Sequence, residues 1–91
     1  MKIIYILNSC NEWKETSSMI LVTATTSIRK IKSIIIQEIK DGNMEYNRKG
    51  DISTTKQIKA LKEDWAEYGS DFVFNALEYG YVEIVEDGEV L

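Results

Sequence analysis

Two short segments hold the residues whose types and spacing could do chemistry. The first is the turn at residues 23–30, Thr23-Ala24-Thr25-Thr26-Ser27-Ile28-Arg29-Lys30. Ser and Thr hydroxyls cap helix starts. Acidic residues, not basic ones, suit the first helical turn, because the backbone dipole is positive there. Arg29 and Lys30 therefore stand against the dipole unless an anion occupies the turn. Free N–H groups, the hydroxyls of Thr25, Thr26 and Ser27, and two cations together make a site for a phosphate or carboxylate. Ordinary capping, with Arg29 and Lys30 in water, is the competing reading. No GxxxxGK[ST] run is present, so the turn is not a P-loop.

The second segment is residues 8–18, NSCNEWKETSS, in which Trp13 sits between charged residues. Trp13 either folds back under a sheet as a core plug or stands out as a stacking platform for a base or an anchor for a protein partner. Asn8, Asn11 and Lys14 can supply hydrogen bonds beside it. The ligand-binding residues expected from both segments are Asn11, Trp13, Lys14, Thr25, Thr26, Ser27, Arg29 and Lys30. If the strands flanking residues 8–18 form a hairpin, the two segments lie at opposite ends of the second strand. They would then meet only across an oligomer interface.

Missing residue types exclude much else. The chain has no histidine, no proline and one cysteine. A Ser-His-Asp or Cys-His site is therefore impossible, and Cys10 alone can form neither a structural zinc site nor an internal disulfide. A single thiol fits a reducing compartment, and Cys10 reads first as a small hydrophobe. The acidic groups Glu63/Asp64/Glu67 and Glu86/Asp87/Glu89 match no EF-hand pattern and read as solvated faces. The expectation is a non-enzymatic protein with no metal and no cofactor.

The 91 residues allow one domain, and a chain this size buries only about 60% of its unfolded surface, so a homo-oligomer is expected. Net charge is −4, but residues 26–62 carry +5 and residues 63–91 carry −9. The basic part can attract a small anionic nucleotide, and the acidic part can meet a basic partner. Direct nucleic-acid binding is disfavoured by a pI near 4.8 and the lack of a recognition motif. Met1-Lys2 leads into IIYIL, too short for a signal core, and no apolar run approaches the roughly 20 residues of a membrane span. The expected location is the cytoplasm, away from membranes.

The elements that must position these residues follow from periodicity. Residues 2–7 are apolar on both faces and read as a buried strand. Residues 19–25 read as a second strand paired with the first. Ile28, Ile31, Ile35 and Ile39 mark one face of a helix over 27–41, capped by Thr26 or Ser27 and ended by Gly42. A connector over 43–53 carries a short strand near 44–46. Thr54 and Gln57 suggest a capping box for a helix to residue 68, with Ile58, Leu61, Trp65 and Tyr68 as its stripe. Gly69 ends that helix, Ser70 caps a third over 71–79, and Gly80 precedes a last strand at 81–85. Asp87-Gly88 reads as a turn, with Val90 and Leu91 pairing briefly beyond it. Tyr68, Phe72, Phe74, Tyr79 and Tyr81 read first as core. The expected architecture is a single α+β domain over residues 1–91: a small, mainly antiparallel sheet with helices on one face, ordered β-β-α-(β)-α-α-β.

The run SCNEWKETSSMILVTATTSIRKIKSIIIQEIKDGNMEY, with the strand before it, resembles small proteins of bacteriophages and prophages of Gram-positive bacteria over residues 3–46. The resemblance rests on the opening strand, the NEWK loop, the strand ending in Thr25, the isoleucine helix and the DGNMEY exit. Where such proteins have a known activity, many counter host immunity by soaking up a nucleotide messenger or by capping a defence enzyme. The resemblance thus implies a sponge that sequesters a nucleotide-derived signalling molecule, with an acidic inhibitor that caps a host defence enzyme such as a nucleic-acid-binding nuclease as the alternative.

Overall fold

Leu7 is fully buried, whereas Ile4 and Ile6, one step out of phase, are half-buried and stand outside the core. One side of this strand is covered and the other is not. The computed structural model describes residues 2–48, 50 and 53–86. Its elements are β1 (Ile3–Ser9), β2 (Ile20–Thr25), α1 (Ile28–Lys40), α2 (Thr54–Tyr68), α3 (Ser70–Ala76) and β3 (Gly80–Glu86). The sheet order is β2-β1-β3, antiparallel throughout. The described residues form an α+β fold of three strands and three α-helices, with a short 3-10 turn at Thr16–Ser18. The expectation that β1 is buried on both faces is corrected: its apolar character covers a core on one side and forms an open apolar face on the other.

Pairing sets the register. Leu7 lies between Thr23 and Val82, and Tyr5 between Thr25 and Ile84. The β1–β2 register slips between Leu7 and Asn8, leaving Val22 as an extra residue on β2. Val22 packs against the core, while Thr23 pairs with buried Leu7. Such a bulge adds local twist and bends the strand.

Helix α1 forms for the reasons its sequence suggests. The Ser27 hydroxyl accepts from the Lys30 N–H at 3.2 Å, capping the first turn. Ile31, Ile35 and Ile39 are buried, with Ile28 and Ile34 packed at the margin. Gly42, at φ +79°, turns the chain out of the helix, a conformation glycine adopts without strain.

Helix α2 departs from expectation at both its start and its buried face. Ser53 precedes it with no side-chain cap, so the capping box is not formed. The Gln57 amide oxygen accepts instead from the Tyr46 N–H at 2.9 Å. The buried stripe is Gln57, Ala60, Leu61 and Asp64, with Ile58 and Trp65 at the flank and Tyr68 exposed. The connector supplies polar partners for this face, so Gln57 and Asp64 are tolerated there. Trp65 meets Phe74 edge-on at 5.5 Å, and Phe74 meets Tyr5 at 6.2 Å, which links α2 through α3 to the sheet.

Met44 and Tyr46 are fully buried, but the expected strand at 44–46 reduces to a single bridge between Glu45 and Glu78. Helix α3 ends at Ala76, before this bridge, with Leu77 extended, where a helix to residue 79 was expected. Gly80 opens β3 in the core, where an added Cβ would sit 2.7 Å from both Leu77 Cδ2 and Met44 Sδ. Of the five late aromatics only Phe74 is buried, while Tyr68 and Tyr81 are exposed. The turn at 87–88 and the pairing of 90–91 lie outside the described residues. No helix among the described residues is long and apolar enough to cross a membrane.

Candidate functional site: the Trp13 end of the sheet

Residues 10–19 leave β1 and return to β2 through a hydrogen-bonded turn. The Lys14 N–H donates to the Asn11 carbonyl at 3.0 Å, and Lys14 sits at φ +54°. The Glu15 N–H donates to Asn11 Oδ1 at 3.1 Å. The Ser18 hydroxyl donates to the Glu15 carbonyl at 2.7 Å and accepts from the Asn11 N–H at 3.0 Å. Lys14 Nζ reaches the Asn75 carbonyl at 3.5 Å, and the Cys10 N–H bonds to the Tyr79 carbonyl at 3.0 Å. The loop is therefore tied to itself and to the region around β3. On this frame Trp13 is 72% exposed, so it is not a core plug.

Other exposed apolar residues gather at the same end. Leu21 and Tyr81 flank Asn8 across the open face, and Ile20 pairs with Ser9. Ile20 is 68% exposed, Leu21 63% and Tyr81 38%. Leu21 and Tyr81 belong to the open face of the sheet, whereas Ile20 lies on the helix side, in the phase of Leu7 and Ser9.

The second expected segment lies elsewhere. Thr25 pairs with Tyr5, whereas Ile20, next to the Trp13 loop, pairs with Ser9. Five strand residues separate the two ends by about 17 Å. The structure brings Asn11, Trp13 and Lys14 together and, separately, Thr25, Thr26, Ser27, Arg29 and Lys30. Within the second group the Thr25 hydroxyl accepts from the Ser27 N–H at 3.1 Å, and the Ser27 hydroxyl caps α1. Thr26, Arg29 and Lys30 are exposed. Neither cation has an ion-pair partner among the described residues.

A cleft of about 620 Å³ opens between β2 and the C-terminal part of α1, lined by Ser9, Cys10, Ser18, Ile20, Val22, Glu38 and Asn43. Glu38 Oε2 accepts from Asn43 Nδ2 at 3.3 Å. Burial pushes the Cys10 thiol pKa up, opposed by the nearby Lys14 charge. The thiol is half-buried, so it is less enclosed than its reading as a core hydrophobe suggested.

A polar cluster not expected from the sequence joins the connector to the buried face of α2. Asp64, 2% exposed, takes Arg48 Nε at 2.7 Å and Nη2 at 3.1 Å, while the Tyr46 hydroxyl donates to it at 2.8 Å. Arg48 also lies over the rings of Phe72 and Tyr68. Its hydrogen bonds to Asp64 hold its guanidinium protonated above the usual arginine range. Burial, then the Asp64 hydrogen bond, pushes the Tyr46 phenol above its ordinary range. The fork fastens the connector onto α2, which makes Asp64 a structural carboxylate and not part of a solvated face. The available signal was its place four residues after Ala60 and three after Leu61.

Comparison with protein-family models, with curated proteins and with solved structures finds no match to this chain.

Proposed function

We propose that this chain is a non-catalytic binding protein that caps a protein partner through the Trp13 end of its sheet. The observation that carries the reading is an exposed tryptophan on a loop already fixed by its own hydrogen bonds. A rigid aromatic anchor binds without the ordering cost of a mobile one. Leu21 and Tyr81, on the open face at the same end, add exposed apolar area. The net charge of −4 favours a basic partner. The resemblance to phage and prophage proteins makes a host defence enzyme with a basic, nucleic-acid-binding surface the partner class, met in the host cytoplasm.

One specific observation favours a second reading, the nucleotide sponge. The first turn of α1 holds no acidic residue, and Arg29 and Lys30 are exposed there without ion-pair partners among the described residues. A small anionic nucleotide would sit on that turn, outside any cleft shared with Trp13 in one subunit. A homo-oligomer would be needed to join the two segments.

Two measurements separate the readings. Wild type, Trp13→Ala and the Arg29→Ala/Lys30→Ala double variant are cross-linked in host lysate, and the captured protein is purified for direct titration. The docking reading expects Trp13→Ala to weaken binding at least about tenfold, as loss of an interface anchor does, with the double variant near wild type. Thermal unfolding is then run with a panel of cyclic nucleotides and cyclic ADP-ribose isomers. A true ligand at about 100 times its Kd adds ~2.7 kcal/mol, or roughly 10–20 °C in Tm. A shift of that size, lost in the double variant, would overturn the docking reading in favour of the sponge.

A further inference from the structure

Strand β2 is an edge: β1 lies on one side, and no strand lies on the other among the described residues. Its outer N–H and C=O groups are therefore open to another chain. Edge strands are commonly protected by charge or proline, and β2, Ile20-Leu21-Val22-Thr23-Ala24-Thr25, has neither. The other edge, β3, carries Glu83 and Glu86. The Val22 bulge bends β2 locally, but Ile20 and Leu21 beyond it remain exposed.

The cleft described above lies along this edge, with Ile20 and Val22 as its apolar wall. Glu38 is the one charged residue among those lining it, and no cation lines it among the described residues. Asn43 binds one carboxylate oxygen of Glu38, leaving the other without a hydrogen-bond partner among the described residues. Strand addition takes affinity from main-chain hydrogen bonds and specificity from pockets that receive alternate side chains. A long aliphatic stem ending in a cation matches an apolar wall that leads to a carboxylate.

We infer that the edge of β2 accepts an extended peptide segment of a protein partner, with a lysine or arginine side chain of that segment seated in the cleft against Glu38. This rests on the reading of the chain as a binder of a protein partner and names the chemistry it recognises.

The test uses isotope-labelled full-length protein and three probes. They are a short peptide of alternating threonine and valine with a central arginine, its twin with citrulline in place of arginine, and N-acetylarginine amide alone. The arginine peptide should shift the amide signals of residues 20–25 and 38 and slow hydrogen exchange along β2. The citrulline twin should bind about tenfold more weakly, because a charge-assisted contact is lost. Glu38→Gln, which keeps the side-chain shape, should erase that difference. Equal binding of both peptides, or shifts elsewhere, overturns the proposal. Equal affinity for N-acetylarginine amide alone makes the cleft a small-cation site and overturns the strand addition. Concentration-dependent shifts of β2 with a doubled sedimenting mass, without peptide, assign the edge to a second copy and also overturn it. A captured partner that needs Trp13 but is indifferent to Glu38→Gln removes this inference and leaves the docking reading standing.

Discussion

Tyr46→Phe removes one oxygen from a fully buried ring and leaves the ring's shape intact. The lost group donates to Asp64 at 2.8 Å, while Arg48 holds the same carboxylate by two further hydrogen bonds. A hydrogen bond to a charged acceptor contributes about 1.5–3 kcal/mol. Asp64 keeps its guanidinium fork in the variant, so the cost falls toward the lower end, about 1.5–2 kcal/mol. For a domain of this size that lowers Tm by roughly 6–16 °C. The pH dependence gives a second reading of the same bond. Folding raises the Tyr46 pKa above its ordinary 10.0, so the folded chain holds this proton more tightly than the unfolded one. Its contribution is fully present below pH 10 and is lost as pH rises above that value. The gap between wild type and Tyr46→Phe should therefore narrow above pH 10, by up to about 1.4 kcal/mol per pH unit. Calorimetry and urea melts across that range measure both effects. A loss below about 0.5 kcal/mol, or a gap constant with pH, would refute the assignment of this hydrogen bond.

The helix starts should respond unequally. Ser27→Ala should cost about 1 kcal/mol in urea melts because it removes a formed cap, while Ser53→Ala, where no cap bond forms, should stay within about 0.5 kcal/mol. Gly80→Ala forces a methyl against Leu77 and Met44, so a loss of about 1–3 kcal/mol is expected by thermal melt. Cys10 should react with a disulfide reagent at neutral pH more slowly than a free cysteine peptide, since burial raises its pKa. Lys14→Ala should slow it further by removing the opposing charge. A rate at or above the peptide's, measured by absorbance, would contradict the burial of this thiol.

Much of the fold was legible because hydrophobic spacing records which face is buried. Ile31, Ile35 and Ile39 line the core as their period implies, and Ser27 and Gly42 mark the ends of α1. The open face of β1 was not legible: Ile4 and Ile6 are as apolar as residues that face a core, so a strand with one covered side looks like one with two. Helix α2 misled for a related reason. Trp65 and Tyr68 outweigh Gln57 and Asp64 on any apolar count, yet the buried face turns toward the polar pair because Tyr46 and Arg48 satisfy them. Those partners come from a connector with little periodicity of its own. The separation of Trp13 from Arg29 followed from the hairpin alone. Exposure of Trp13 did not, because the loop bonds that hold it outward involve ordinary polar residues of no distinctive spacing.

The antiparallel pairing of Ile3 with Glu86 has a consequence for synthesis. During translation β1 can zip to β2 early, but its other flank stays vacant until β3 emerges about 60 residues later, roughly 3–12 s at ordinary elongation rates. In that interval the central strand is itself an edge, and the isoleucines of α1 have only two of the three strands to cover. A nascent chain paused in this window offers the free flank of β1 in place of the glutamate-bearing β3 edge, beside the β2 edge it keeps. Slow codons between the hairpin and β3 should therefore raise aggregation without altering the finished protein.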